Sequence, residues 1–250
     1  MRTGAFLIAI WLFAATPAFA ETGEEAYLAG RFLEAASICE NEGGADNLAR
    51  AARSLLAHEV AAGTLEETSL MRAEKLARAA LKVEPDHVEG RLQLAIALSM
   101  RSRLMSSREV LNSGYGKTGR DLARDVLEED PGNAYAHGFL AVWNIEVVSK
   151  GGSLGAAWFG ASLSNARKHF EAARRLDPDS PSLCWQFARA LAAYDYSRYN
   201  DEIFETLTCA LKADAGSAIE KLMQARARAF WVYARGHTRR EIEARAGALL

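Results

Sequence analysis

Apolar residues recur along this chain in two rhythms. Residues 5–15 (AFLIAIWLFAA) form one unbroken apolar run. Further on, small and apolar residues return at steps of four and three, as in Ala73, Ala77, Ala80 and again in Ala166, Phe170, Ala173. That step keeps one stripe of a helix facing a neighbour. The pattern predicts helices near 24–29, 32–41, 46–62, 68–83, 87–112, 118–129, 134–149, 156–176, 181–194, 200–213, 217–235 and 239–248. Composition agrees with it. Ala leads the apolar residues and Val and Ile are sparse, and Ala has the best helix propensity of all.

The helices are organised as a repeat. Three segments align: residues 76–98 (LARAALKVEPDHVEGRLQLAIAL), 122–144 (LARDVLEEDPGNAYAHGFLAVWN) and 169–191 (HFEAARRLDPDSPSLCWQFARAL). Each is a helix, an acidic residue with Pro, a short turn and a second helix. Pro85, Pro131 and Pro178 end one helix and begin the next, because Pro lacks an N–H and disfavours helix at the residue before it. Asp86, Gly132-Asn133 and Asp179-Ser180 are turn and N-cap residues. The following helices carry Leu94-Ala95, Leu140-Ala141 and Phe187-Ala188, where small residues let helices approach to about 8–10 Å.

This arrangement resembles the tetratricopeptide repeat (TPR). The resemblance covers most of residues 24–235, with a weaker first unit around Gly30-Arg31-Phe32 and a last one from Ile203 to Ala210. It implies an all-α fold, an α-solenoid of antiparallel helix pairs. One departure stands out. The family period is about 34 residues, whereas Pro85 to Pro131 spans 46 and Pro131 to Pro178 spans 47. The extra dozen falls between the two helices of each middle repeat, in residues 100–117 and 146–162. Insertions on one edge of a solenoid often lie on a binding face. A capping box, Thr238 with Glu241, starts a short C-terminal helix at 239–248, which is expected to cap the array.

The family binds partners in a groove lined by first helices. Its groove positions fall here on Leu92, Ile96 and Val142, all apolar, on Gly138, Glu146 and Leu222, and last on Tyr135, Trp185, Arg189 and Arg226. The last four are the expected partner- or ligand-binding residues. The three apolar ones serve equally well as core. The Lys and Asn with which some members clamp a C-terminal carboxylate are replaced here, so that role is not expected.

The early apolar run then acquires a meaning. Arg2 precedes it, Pro17 breaks it, and Ala18-Phe19-Ala20 offers small residues for cleavage. These are the three parts of a secretory signal. Eleven apolar residues are too few for a bilayer span, which needs roughly 20. The expected organisation is a signal peptide at 1–20, cleaved after Ala20, and one helical repeat domain at 21–250, soluble in the periplasm, with no membrane span. Loss of Arg2 takes the net charge from −2 to −3, so nucleic acid is not an expected partner.

Candidate chemistry is thin. His58, His87, His137, His169 and His237 are scattered, and no CxxC or metal-spaced cluster occurs; neither metal nor cofactor is expected. Gly114-Tyr115-Gly116-Lys117-Thr118 ends like a phosphate loop, but Leu111 stands where the first Gly belongs, so it reads as a helix-capping turn. Gly151-Gly152-Ser153-Leu154-Gly155 matches the nucleophile-elbow string, but a helix rather than a strand precedes it. Trp158-Phe159 in the same insertion reads as a packing pair or as a ligand lid, and Tyr194, Tyr196 and Tyr199 as a hairpin cap or a recognition surface. Cys184 and Cys209 sit at one height on facing helices, since their midpoint falls in the turn near Arg198. Whether they face each other is left open, and Cys39 is the odd thiol.

These features predict a non-catalytic binding module of the cell envelope with a protein or peptide partner in a TPR groove. The alternative is a periplasmic protein that holds a small apolar ligand for a solute transporter. An open groove favours the first and a buried pocket the second.

Overall fold

The computed structural model describes residues 21–249; the signal-peptide reading of residues 1–20 lies outside them. Thirteen helices and no strand are found among the described residues. They are α1 (Gly23–Leu28), α2 (Phe32–Glu42), α3 (Gly44–Ala62), α4 (Glu67–Val83), α5 (Val88–Ser102), α6 (Ser107–Ser113) and α7 (Tyr115–Glu129). There follow α8 (Ala134–Phe159), α9 (Leu163–Leu176), α10 (Pro181–Asp195), α11 (Asn200–Lys212), α12 (Ala218–Ala234) and α13 (Arg239–Ala248). The pairs α3/α4, α5/α7, α8/α9 and α10/α11 are the antiparallel units, and each second helix packs against the first helix of the next pair. No described helix is long and apolar enough to cross a membrane.

The expected caps are met in part: Asn133 caps α8 and the Thr238–Glu241 box starts α13, whereas His87 rather than Asp86 caps α5 and Ser180 makes no capping hydrogen bond. Capping boxes start α1, α6, α12 and α13, pairing Thr22 with Glu25, Ser106 with Glu109, Ser217 with Glu220 and Thr238 with Glu241. His87 Nδ1 accepts from Gly90 N–H at 3.0 Å and Asn133 Oδ1 from Ala136 N–H at 3.0 Å, which starts α5 and α8. Pro181 occupies the first turn of α10.

Both insertions differ from their predicted form. The helix expected over 87–112 stops at Ser102, turns, and restarts at Ser107 under the Ser106 cap. The loop expected after residue 149 is instead helical. α8 continues to Phe159 across a break at Gly152 (φ 57°), and Gly160 (φ 65°) ends it. The helix expected from 156 therefore begins only at Leu163, capped by Ser162. An Ala-containing, uncharged stretch keeps its helix propensity, and left-handed Gly sets where it bends.

The largest core lies at the C-terminal end. Phe170 and Phe187 stack at 3.9 Å, and Trp185 meets Phe230 edge-on at 5.7 Å. At the α8–α10 crossing Gly138 leaves room for Leu183, whose Cδ2 would lie 2.4 Å from a Cβ there. Cys184 and Cys209 form a disulfide between α10 and α11 with Cα atoms 6.0 Å apart, and Cys39 is a buried free thiol. The shared height foreseen for the two cysteines is thus accompanied by facing side chains. The tyrosine turn is a packing feature. Tyr194 and Tyr199 stack at 6.0 Å, and Tyr196 donates its O–H to Ala234 O at 3.3 Å.

The curve of the array brings its ends together. The Arg226 guanidinium on α12 donates to Val60 O at the end of α3. Gly30 lies so close to α12 that a Cβ there would sit 2.9 Å from Ala218 Cβ. α13 then folds back onto α10, where Arg189 donates to Ala246 O at 3.3 Å and Tyr196 N–H to Glu243 at 3.0 Å. From α5, Arg103 donates to Gly247 O at 2.7 Å and Leu249 O at 2.9 Å. The side that an open array offers to a partner is occupied by this chain's own helices.

Candidate functional site: a cleft walled by the two insertions

The four residues expected to line one groove do not share an exposed face. Tyr135 is 47% exposed, but Trp185 is fully buried and Arg189 is 3% exposed. Arg226 holds α12 to α3. The cause is the closure just described. α12 covers Trp185 through Phe230, and α13 covers Arg189. Leu92 is core as well, packed with Val126 and Ala136, and Val142 is partly buried against the separate C-terminal core.

A different concavity is present. First helices α8, α10 and α12 stand flank to flank, whereas α5 and α8 scarcely touch. The gap between them is a cleft of about 1040 Å3. Its inner wall is Ala95 and Ser99 of α5 with Phe139 and Trp143 of α8. α6 and the start of α7 give Val110, Leu111, Tyr115 and Gly116, and the far arm of α8 gives Gly155, Trp158 and Phe159. Gly247 and Ala248 at the end of α13 close its inner end.

The two insertions are linked through Trp143 and Arg120, which lie outside them. Trp143 donates its indole N–H to Gly116 O at 2.9 Å, and Phe159 packs edge-on to Trp143 at 6.3 Å. Arg120 donates to Phe159 O at 3.1 Å and lies 5.7 Å from the Trp143 ring centre. Arg101 donates to Tyr115 O–H at 2.8 Å and pairs with Glu74. The Trp158-Phe159 pair thus splits its roles. Phe159 packs, while Trp158 stands 86% exposed on the rim of the cleft. Leu154, on the same arm, is 85% exposed.

One carboxylate sits among several cations at the inner end. Glu146 has Arg189 at 3.4 Å, Lys150 at 3.7 Å and Arg103 at 3.8 Å. Burial alone would raise its pKa, but Lys150, Arg189 and Arg103 outweigh that and hold it below the usual carboxylate range. The Arg189 pKa is lowered, because burial disfavours its charge more than Glu146 restores it. The wall is therefore aromatic and aliphatic with a cationic inner end.

The enzyme-like strings take plain structural roles. Gly114 (φ 70°) ends α6 and starts α7, so the phosphate-loop look-alike is a turn between helices. Ser153 lies exposed just past the Gly152 break, on a helix. No cluster of three or more His, Cys, Asp or Glu able to hold a metal occurs among the described residues. The cleft had a signal in the sequence: residues 151–166 carry no charge, yet hold Leu154, Trp158 and Phe159 between glycines.

No protein-family model and no curated protein sequence matches the chain. The fold is similar to the crystal structure of a thermophilic TPR protein of Thermus thermophilus. The TM-score is 0.56 and the identity 19%, over 83% of this chain and 95% of that one. At that identity the likeness carries the fold, an all-α TPR-like solenoid of helix pairs.

Proposed function

We propose that this chain is a non-catalytic binding module, exported to the bacterial envelope by residues 1–20, that holds a small apolar ligand in the insertion cleft. One observation carries the reading. The groove side is filled by α12 and α13, while the cleft between α5 and α8 stays open at about 1040 Å3 with aromatic walls. Ligand sites are typically concavities of about 300–1,000 Å3 with mostly apolar linings and a few polar groups. Service to a solute transporter is the role such a carrier would have in the periplasm. Capture of a protein segment is the second reading. It is favoured by the TPR-like fold and by Tyr135, exposed at the start of α8.

The test is titration of the mature protein with N-phenyl-1-naphthylamine, a neutral apolar probe whose fluorescence rises on leaving water. The expected result is saturable binding at one site, weakened about tenfold or more by Ser99→Phe, which fills the cleft. Linear, unsaturable uptake removes the reading. The address is tested separately, by N-terminal sequencing of protein from the periplasmic fraction. Glu21 as first residue supports export, and a retained Met1 in the cytosol overturns it.

A further inference from the structure

From the charges on the cleft wall we infer that the natural ligand is a monoanionic amphiphile: an apolar body with a single carboxylate-like head. The assignment rests on the cleft being the binding site. Five charged side chains line it, namely the cations Arg103, Lys117, Lys150 and Arg189 and the single carboxylate of Glu146. Asp121 lies outside the lining and accepts from Lys117 at 2.8 Å, which removes one charge from the surplus. The carboxyl end of α13, bonded to Arg103 and Arg189, contributes roughly another half negative charge. Among the described residues more than one positive charge is left over. It stands out against a chain whose net charge is −2.

The position of this surplus matters as much as its sign. Glu146 cannot neutralise three cations that approach it at 3.4–3.8 Å. The side chains of Arg103 and Arg189 are only 15% and 4% exposed, so water does little to screen them. Uncompensated charge in such surroundings is costly, and an arriving anion relieves the cost. Lys150, with its side chain 61% exposed, is the most accessible of the three cations around Glu146 and the one a head group meets first. From there the apolar walls run past Phe139 and Trp143 to Phe159, with Trp158 at the rim. A head at Lys150 and Arg103 places the body against these rings. A neutral ligand fills the same walls but leaves the surplus unpaired. A cationic one adds to it. A dianion exceeds it.

The experiment uses the mature chain loaded with N-phenyl-1-naphthylamine. Three single-chain amphiphiles of equal length compete with the probe below their micelle or solubility limits: dodecanoate, dodecanol and dodecyltrimethylammonium. Dodecanoate is expected to displace at about tenfold lower concentration than dodecanol, with the trimethylammonium compound weakest. Lys150→Gln is expected to shrink the carboxylate-over-alcohol ratio by about threefold, and added salt to shrink it further. Equal displacement by carboxylate and alcohol, or preference for the cation, overturns the inference while leaving the cleft as the site. Failure of the probe itself to bind removes the cleft reading beneath it. A ratio that Lys150→Gln leaves intact overturns the placement of the head.

Discussion

The crossing of α8 with α10 and the crossing of α5 with α8 join equivalent first helices, but they close differently. At the first, Gly138 admits Leu183, and the interior continues unbroken through Trp185, Phe187 and Phe230. At the second, α5 and α8 scarcely touch, and Ser99 and Phe139, both partly exposed, line the gap that the insertions wall. The repeat pattern orders the helices in both places. What separates them is whether large side chains meet small ones directly, or whether inserted chain holds them apart, as Gly116 and Phe159 do through their grip on Trp143. The frame thus resides in the repeat, and the candidate site in the departures from it.

Two tryptophans give the sharpest way to break that comparison. Trp185→Ala removes the centre of the closed crossing and is expected to cost about 3–5 kcal/mol, read as a lower urea midpoint. Next in size is the Cys184–Cys209 bond. It spans 25 residues, and reduction is expected to cost about 3 kcal/mol by the same measurement, with the C-terminal pair loosened first.

Acid acts in between, on the helix pair α8/α9. His137 and His169 place their Nδ1 atoms 2.9 Å apart. Burial, then the His137 charge and that of Arg124, pushes the His169 pKa down to about 4, and burial with Arg175 lowers His137. Between pH 6.5 and about 4 the unfolded chain binds these protons more readily than the folded one. Stability is therefore full above pH 6.5 and falls as the pH drops towards 4. The expected loss is about 1–2 kcal/mol once solvent screening of the part-exposed rings is allowed for. Urea titrations at pH 7.5 and 4.5 measure it, and His169→Gln is expected to remove most of the difference. The smallest stability effect belongs to Trp158→Ala at the open crossing, at most about 0.5 kcal/mol. That variant is nevertheless expected to weaken probe binding about threefold. A Trp158→Ala protein as damaged as Trp185→Ala would mean that the cleft is closed in solution.

The same contrast explains what could be read from the chain beforehand. Pro85, Pro131 and Pro178 mark the turns, and the small-residue stripes name the packing faces, so helix order and pairing were legible. The faces of Trp185 and Arg189 were not. An apolar or amphipathic stripe reports that a surface is covered, but not whether a partner or the chain's own α12 and α13 covers it. Closure depends on curvature summed over all repeats, which no local signal encodes. The helical form of residues 150–155 was obscured by Gly151, Gly152 and Gly155, which read as loop although only Gly152 breaks the helix there. Trp158 was in view, but its exposure follows from the direction of that arm.

Joining the ends of the array changes its mechanics. An open solenoid behaves like a coil spring: it stretches and twists a little at each repeat, and it frays from its tips because an end unit has a single neighbour. Here Arg226 on Val60 O and Ala218 against Gly30 make a hoop of it. A hoop has no tip to fray, so the first and last helices are expected to exchange their amide protons nearly as slowly as the middle ones. It also cannot stretch. Changes of shape are then expected to be local and to fall to chain outside the ring, such as the largely exposed residues 153–158 beyond the Gly152 break.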